Sequence, residues 1–238
     1  MNKKSQAYIH SINLKQKEMI DISKDFFNKM KTRRTIRDFS SKEIPVKVLE
    51  NAIKAAGRAP SGANQQPWHF VIVSNKKIKK SIRDAAEKEK QAFYTKRAPK
   101  EWLNALKHIG TDANKPHLEK APYLIIIFAE RYSVNKKSEK IKNYYVSESV
   151  GIATGFLITA LHLAGLVTLT HTPSPMKFLN KILNRPSNES AYLIIAVGYP
   201  EGDATVPVIS KKKINEFLTK FTWIKYNDHS IYIIGKIC

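Results

Sequence analysis

Three guanidinium groups and a hydroxyl fall within five residues at Arg33-Arg34-Thr35-Ile36-Arg37. Such a set can grip a phosphate through forked, charge-assisted hydrogen bonds. A second polar run, Thr170-His171-Thr172-Pro173, follows the strand-like residues 166–169, so its hydroxyls can meet the heteroatoms of a ligand at a strand end. A third stretch, residues 59–68, reads APSGANQQPW and sets small side chains where a loop backbone can approach another group closely. Each stretch also has a plain structural reading. Threonine suits strands, Pro, Ser, Gly and Asn are ordinary turn residues, and arginines cluster by chance in so basic a chain.

Other chemistries lack their residues. None of the seven histidines pairs with another at H-x-x-x-H spacing, so no metal site is expected. G-x-G-x-x-G, G-x-x-x-x-G-K-[ST] and G-x-S-x-G are absent, which removes the usual sequence signals for a dinucleotide fold, a P-loop and a serine nucleophile elbow. The single cysteine, Cys238, excludes a disulfide framework within one chain.

The elements that must position these residues follow from periodicity. Residues 45–57 carry Leu49, Ala52, Ile53 and Ala56 at helical spacing between Pro45 and Gly57, and 68–73 (WHFVIV) reads as a largely buried strand, so 59–67 is a helix-to-strand loop. Helices are expected at 20–31, 146–166 and 176–183, with a highly charged helical pattern over 76–107 that includes Phe93, Tyr94 and Trp102. Residues 123–128 and 192–197 are continuous apolar runs, expected as strands covered on both faces. Strands separated by helices give an α+β or α/β sandwich, read here as one domain with tails.

Lys and Arg total 41 against 20 Asp and Glu, a formal net charge of +21. That excess suggests an anionic partner and leaves a basic nucleic-acid-binding protein as a remote alternative, although no nucleic-acid-reading motif is present. Residues 1–31 contain no continuous apolar block, so an unanchored cytoplasmic protein is expected. Residues 150–167 carry no charge, yet Thr154, Thr159 and His162 within them favour a buried helix over a membrane span. Gly151 and Gly155 at i, i+4 there suggest close packing of another backbone, including one across a subunit interface.

Taken in order, RRTIRDFS (33–40), APSGANQQPWHF (59–70), KNYYVSESVGIATG (142–155), LAGLVTLTHTP (163–173) and VGYPEGDATVP (197–207) resemble the nitroreductase family of FMN-dependent oxidoreductases, and within it the deiodinase branch. The resemblance implies an α+β fold, a three-layer α/β/α sandwich around a mixed sheet, in an intertwined homodimer with FMN at the subunit interface. It divides the chain into an N-terminal tail (1–25), an FMN domain (26–221) with a lid at about 87–117, and a C-terminal extension (222–238). It assigns the flavin to Arg33, Arg34, Thr35, Ile36 and Arg37, to Pro60, Ser61 and Gly62 of the other subunit, and to Thr170, His171 and Thr172, with Thr172 beside N5. Lys211 stands where the family has a phosphate-binding arginine, which keeps the charge and loses the fork. The branch grips a halotyrosine zwitterion with a Glu, a Tyr and a Lys, and meets the phenolate with a loop amide. Tyr94, Lys115 and Ala63 match, but the Glu position is Lys90, a cation that repels ammonium and attracts carboxylate. The implied activity is reductive dehalogenation of a halotyrosine or related halophenol, with NAD(P)H as a possible electron donor. A general NAD(P)H-dependent nitroreductase or quinone reductase is the enzymatic alternative.

Overall fold

The computed structural model describes residues 5–99, 101, 112–135, 137–226 and 229–234. Residues 100 and 102–111, which include Trp102 and much of the expected lid, lie outside the described residues, as does Cys238. Helices are α1 (Gln16–Thr32), α2 (Val46–Ala56), α3 (Lys76–Ala92), α4 (His117–Lys120), α5 (Val146–Leu163) and α6 (Lys177–Ile182). Strands are β1 (Trp68–Val73), β2 (Tyr123–Glu130), β3 (Tyr132–Val134), β4 (Lys140–Lys142), β5 (Val167–His171), β6 (Glu189–Gly198), β7 (Phe221–Tyr226) and β8 (His229–Ile234).

The central sheet has the order β1-β2-β6-β5, with every neighbouring pair antiparallel. Its mixed character comes from one parallel bridge, Thr35 to Thr168, which lays the arginine segment along β5. Alternation within the apolar runs sorts their side chains into two cores. Leu124, Ile126 and Phe128 face Ile82 and Ala86 of α3, Leu118 of α4 and Leu179 of α6. Ile125 and Ile127 face Leu49, Ala52 and Ala56 of α2 and Val150, Leu157 and Leu161 of α5. Helices on both faces of one sheet make the three layers.

Several boundaries differ from the sequence expectation, each for a local reason. Helix α5 stops at Leu163, not 166, because Gly165 takes a left-handed conformation (φ +82°) that ends the helical path. The strand-like run read over 166–169 extends further: Thr170 and His171 continue β5 and pair with Ile195 and Ile194. Helix α1 begins at Gln16 rather than 20 and buries none of its residues, leaving Met19, Ile20, Ile22, Phe26 and Phe27 exposed. The chain falls into two compact units, Met1–Val206 and Pro207–Cys238, and the second contains the β7–β8 hairpin.

By length and composition α5 could cross a membrane, with a mean hydropathy of 1.4. Its stripe of Val150, Ala153, Leu157 and Leu161 instead covers the sheet, while Ile152, Phe156 and Leu163 stay exposed on the other side. A buried ammonium fastens α3 to the strand entry: Lys79 Nζ donates to the carbonyls of Glu119 (2.9 Å) and Ala121 (2.6 Å) just ahead of β2.

Candidate cofactor and substrate site

The segment 33–37 is held extended by its one apolar side chain. Ile36 is buried and its N–H donates to the Thr168 carbonyl (3.3 Å), while Phe39 enters the core and Ser40 N–H reaches the Tyr199 carbonyl. Arg33, Arg34, Thr35 and Arg37 are thereby held half-buried along the β5 edge. Arg33 and Arg37 make no side-chain hydrogen bond or ion pair among the described residues, so their fixed donors are available to an anion.

Strand alternation splits the polar run of β5. Thr170 lies on the α5 side and, with Thr172 just beyond the strand, lines a cavity of about 460 Å³ bounded by Gly151, Thr154 and Ile158 of α5 and Tyr192 of β6. Gly151 is needed for that wall, since a Cβ there would lie 3.3 Å from the Tyr192 hydroxyl. His171 points to the opposite face and packs edge-on against His117, with ring centroids 5.5 Å apart. The structure therefore separates His171 from the two threonines. Both imidazoles are buried, and neither Nε2 has a hydrogen-bond partner. Burial, then the charge of Lys115, lowers the His117 pKa to about 4. Burial, then His117 and Lys90, lowers that of His171 to about 2.

The APSGANQQPW loop docks on the start of α5. Gly62 N–H donates to Ser149 Oγ (3.3 Å), Gln66 N–H to Ser61 Oγ (2.9 Å), and Tyr144 N–H to Gln65 Oε1 (2.7 Å). A Cβ on Gly62 would fall 2.8 Å from the Tyr144 carbonyl oxygen and 2.9 Å from the Tyr145 ring. Ala63, by contrast, is exposed and left-handed (φ 49°), where glycine is preferred. Gly62→Ala is expected to destabilise the fold by about 2 kcal/mol, whereas Ala63→Gly should be neutral or mildly stabilising. Urea unfolding of the two variants checks the contrast. The loop feeds β1 and the arginines lie on β5, the opposite edge of the sheet. Three strand spacings, about 14 Å, separate those edges.

At the C-terminal end of α3 the chain gathers cations. Lys115 is 3% exposed, its Nζ donates to the Asp112 carbonyl, and its pKa is lowered to about 8 by burial first, with Lys90 and Arg37 adding to the shift against Asp112. Burial also lowers the pKa of half-buried Lys90, whose Nζ sits 5.4 Å from the Phe93 ring centroid. Tyr94 meets Phe93 edge-on at 5.8 Å. Burial alone would raise the pKa of Glu87, yet Arg83 Nε (2.8 Å) and Lys115 N–H (2.7 Å) hydrogen-bond its carboxylate and hold it below the usual range.

The structure thus brings Arg37, Lys90, Lys115 and His171 into one electrostatic neighbourhood, together with His117 and Glu87, which sequence reasoning did not single out. The Arg83–Glu87 spacing of i, i+4 was a visible signal for an ion pair. His117 carried no signal, because its partner His171 is remote in the chain. Lys211 is exposed in the second unit. Ligand atoms of His69, Glu130 and Glu189 also lie within 4.8 Å of one another. Both Glu189 oxygens, however, are forked by Arg185 at 2.7 and 2.5 Å, so this group is an ion pair with two neighbours.

Residues 30–199 match the model of the nitroreductase family. An iodotyrosine deiodinase of Haliscomenobacter hydrossis is 53% identical over 195 residues, 82% of this chain and 88% of that protein. An iodotyrosine deiodinase of Nematostella vectensis is 40% identical over 204 residues, covering 85% and 77%. The crystal structure of oxidized iodotyrosine deiodinase bound to FMN and 3-iodo-L-tyrosine superposes with a TM-score of 0.69 at 32% identity, over 82% of this chain and 100% of that one. With the three-layer sandwich and the arginine-threonine edge already in place, the match over 30–199 establishes that this chain belongs to the nitroreductase family.

Proposed function

We propose that two copies of this chain bind FMN in their shared interface and reductively dehalogenate a halotyrosine or related halophenol. The carrying observation is the β5 edge: unpaired, half-buried Arg33 and Arg37 beside Thr170 and Thr172 hydroxyls that open into a cavity. Guanidinium groups suit a phosphate and hydroxyls suit the polar edge of a flavin ring, so the residues present fit the cofactor. Arg33, Arg34, Thr35 and Arg37 would hold the phosphate end, and Thr170 and Thr172 the ring edge. Thr172 would supply the hydroxyl for N5.

The position of the loop across the sheet supports a partner subunit as the source of Pro60, Ser61 and Gly62. The exposed apolar faces of α1 and α5 support the same pairing, as does Gly155, where an added Cβ would meet nothing within 4 Å beyond its own helix backbone among the described residues. Ala63 N–H would meet the phenolate, while Lys90, Tyr94 and Lys115 would meet the substrate's side arm.

When bound, FMN supplies the electrons that a protein without redox-active side chains at this site lacks. The overall change breaks a carbon–halogen bond and forms a carbon–hydrogen bond, consuming two electrons and one proton and releasing halide. We assign the electrons to a reduced nicotinamide dinucleotide. The residues of this chain position the arene, exclude water from the cavity and present positive charge to the side arm.

Lys115 carries a charge only below pH about 8. The affinity for a carboxylate-bearing ligand is therefore expected to fall as pH rises through 8, by up to tenfold per pH unit above it. Titration of flavin fluorescence from pH 6.5 to 9.5 measures this. The functional test is an absorption spectrum of the purified protein followed by single-turnover reduction. Bound flavin and halide release from 3-iodotyrosine or an iodophenol are expected. Consumption of nitroaromatics with no halide release from either would replace this reading by a general nitroreductase.

A further inference from the structure

We infer that the substrate's side arm is a carboxylate with no ammonium beside it, which makes the preferred substrate a halogenated hydroxyphenyl alkanoate rather than an amino acid. The inference rests on the dehalogenase reading and narrows its substrate class.

Helix α3 sets Arg83, Glu87 and Lys90 on one stripe at i, i+4 and i+7, and Glu87 is tied to residue 115 through its hydrogen bond to the Lys115 N–H. Lys90 therefore stands one turn along from the point where Lys115 joins the helix. The carboxylates close to it are already engaged. Glu87 Oε1 accepts from Arg83 Nε and from Lys115 N–H, and Glu119 Oε2 accepts from Arg83 Nη1 at 3.0 Å. Asp112 is exposed, and its charge acts on Lys115.

The Lys90 ammonium makes no hydrogen bond or ion pair among the described residues and has the Phe93 ring against it. His117 and His171, buried and unpartnered at Nε2, add no negative charge. A carboxylate entering this neighbourhood would relieve the mutual repulsion of Lys90 and Lys115. An ammonium entering it would be one more cation in a half-buried place where Glu87 and Glu119 already hold other partners.

The test uses the FMN-loaded protein and four iodinated phenols: 3-(3-iodo-4-hydroxyphenyl)propanoate, 3-iodotyrosine, 3-iodotyramine and 2-iodophenol. Binding is read from flavin fluorescence and turnover from released iodide. The propanoate is expected to bind about tenfold or more tighter than iodotyrosine, with iodotyramine weakest, an ordering set by charge at nearly constant shape. Lys90→Glu, loaded with FMN to the same extent as judged by absorbance, should reverse the order of propanoate and iodotyramine, and Lys90→Gln should narrow the gap.

Iodotyrosine binding as tightly as the propanoate would overturn the inference while leaving the dehalogenase reading intact. An order unchanged by Lys90→Glu would do the same. Release of iodide from none of the four by a flavin-loaded protein that still reduces nitroaromatics would overturn the dehalogenase reading, and this inference with it.

Discussion

The double variant Arg33→Gln/Arg37→Gln is expected to lose FMN almost completely, with a Kd raised about a thousandfold. Each replacement removes a charge-assisted hydrogen bond worth about 1.5–3 kcal/mol, and glutamine keeps the length of the side chain without its charge or fork. The fold should survive. Neither guanidinium makes an internal bond among the described residues, and the segment is held by Ile36, Phe39 and the Thr35–Thr168 bridge. The apo Tm should therefore stay near that of the wild type while the purified variant is colourless. Fluorescence titration with FMN gives the affinity, and a variant that binds FMN as tightly as the wild type would remove the phosphate role from this edge.

The second large effect is a loss of stability in mild acid. His117 is held at a pKa of about 4 and His171 at about 2, chiefly by burial, so both rings are neutral in the native chain at pH 7. In the unfolded chain they titrate near the ordinary value of 6.5. Below that pH the unfolded state binds more protons than the native state, so stability is complete above pH 6.5 and falls as the pH drops towards 4. For His117 alone the loss by pH 4 is about 3 kcal/mol. Thermal melts between pH 7.5 and 4.5 should show Tm declining only in the lower part of the range. His117→Phe, which keeps the edge-on ring contact and removes an unpartnered buried nitrogen, should flatten that decline and cost little at pH 7. A wild-type Tm independent of pH over this interval would contradict the burial of the pair.

The fold was legible where side-chain pattern alone decides it. WHFVIV gave β1 at 68–73, because β-branched and aromatic residues end at Ser74-Asn75, and Asn75 Oδ1 then caps α3 by accepting from Ile78 N–H at 3.1 Å. The apolar runs around 125 and 195 gave the two central strands, since only strands covered on both faces tolerate such continuity. The start of α5 at 146 was legible too; its end was not, because Gly165 acts through a backbone angle that the apolar pattern does not report.

The site was readable only in part, for a related reason. Arg33, Arg34 and Arg37 form one local run and Thr170 and Thr172 another, and the parallel Thr35–Thr168 bridge makes the two runs neighbours in space. His171 sits between the two threonines in sequence and was grouped with them, yet alternation on β5 sends it to the other core. That separation follows from β5 continuing through residue 171, two residues past the strand-like run read from the sequence. The Arg83–Glu119 ion pair and the His117–His171 contact join residues far apart in the chain, and no local spacing announces such pairs.

The placement of arginine segment and loop on opposite margins of one sheet has a genetic consequence. In the proposed pairing each seam takes its arginines from one chain and its APSGANQQPW loop from the other. A subunit carrying Arg33→Gln/Arg37→Gln and a subunit carrying a bulky replacement of the exposed loop residue Pro60 would each be inactive as homodimers. Co-expressed, they would form a hybrid in which one seam inherits both lesions and the other inherits neither, so two dead alleles would restore activity to a cell that either alone leaves without it.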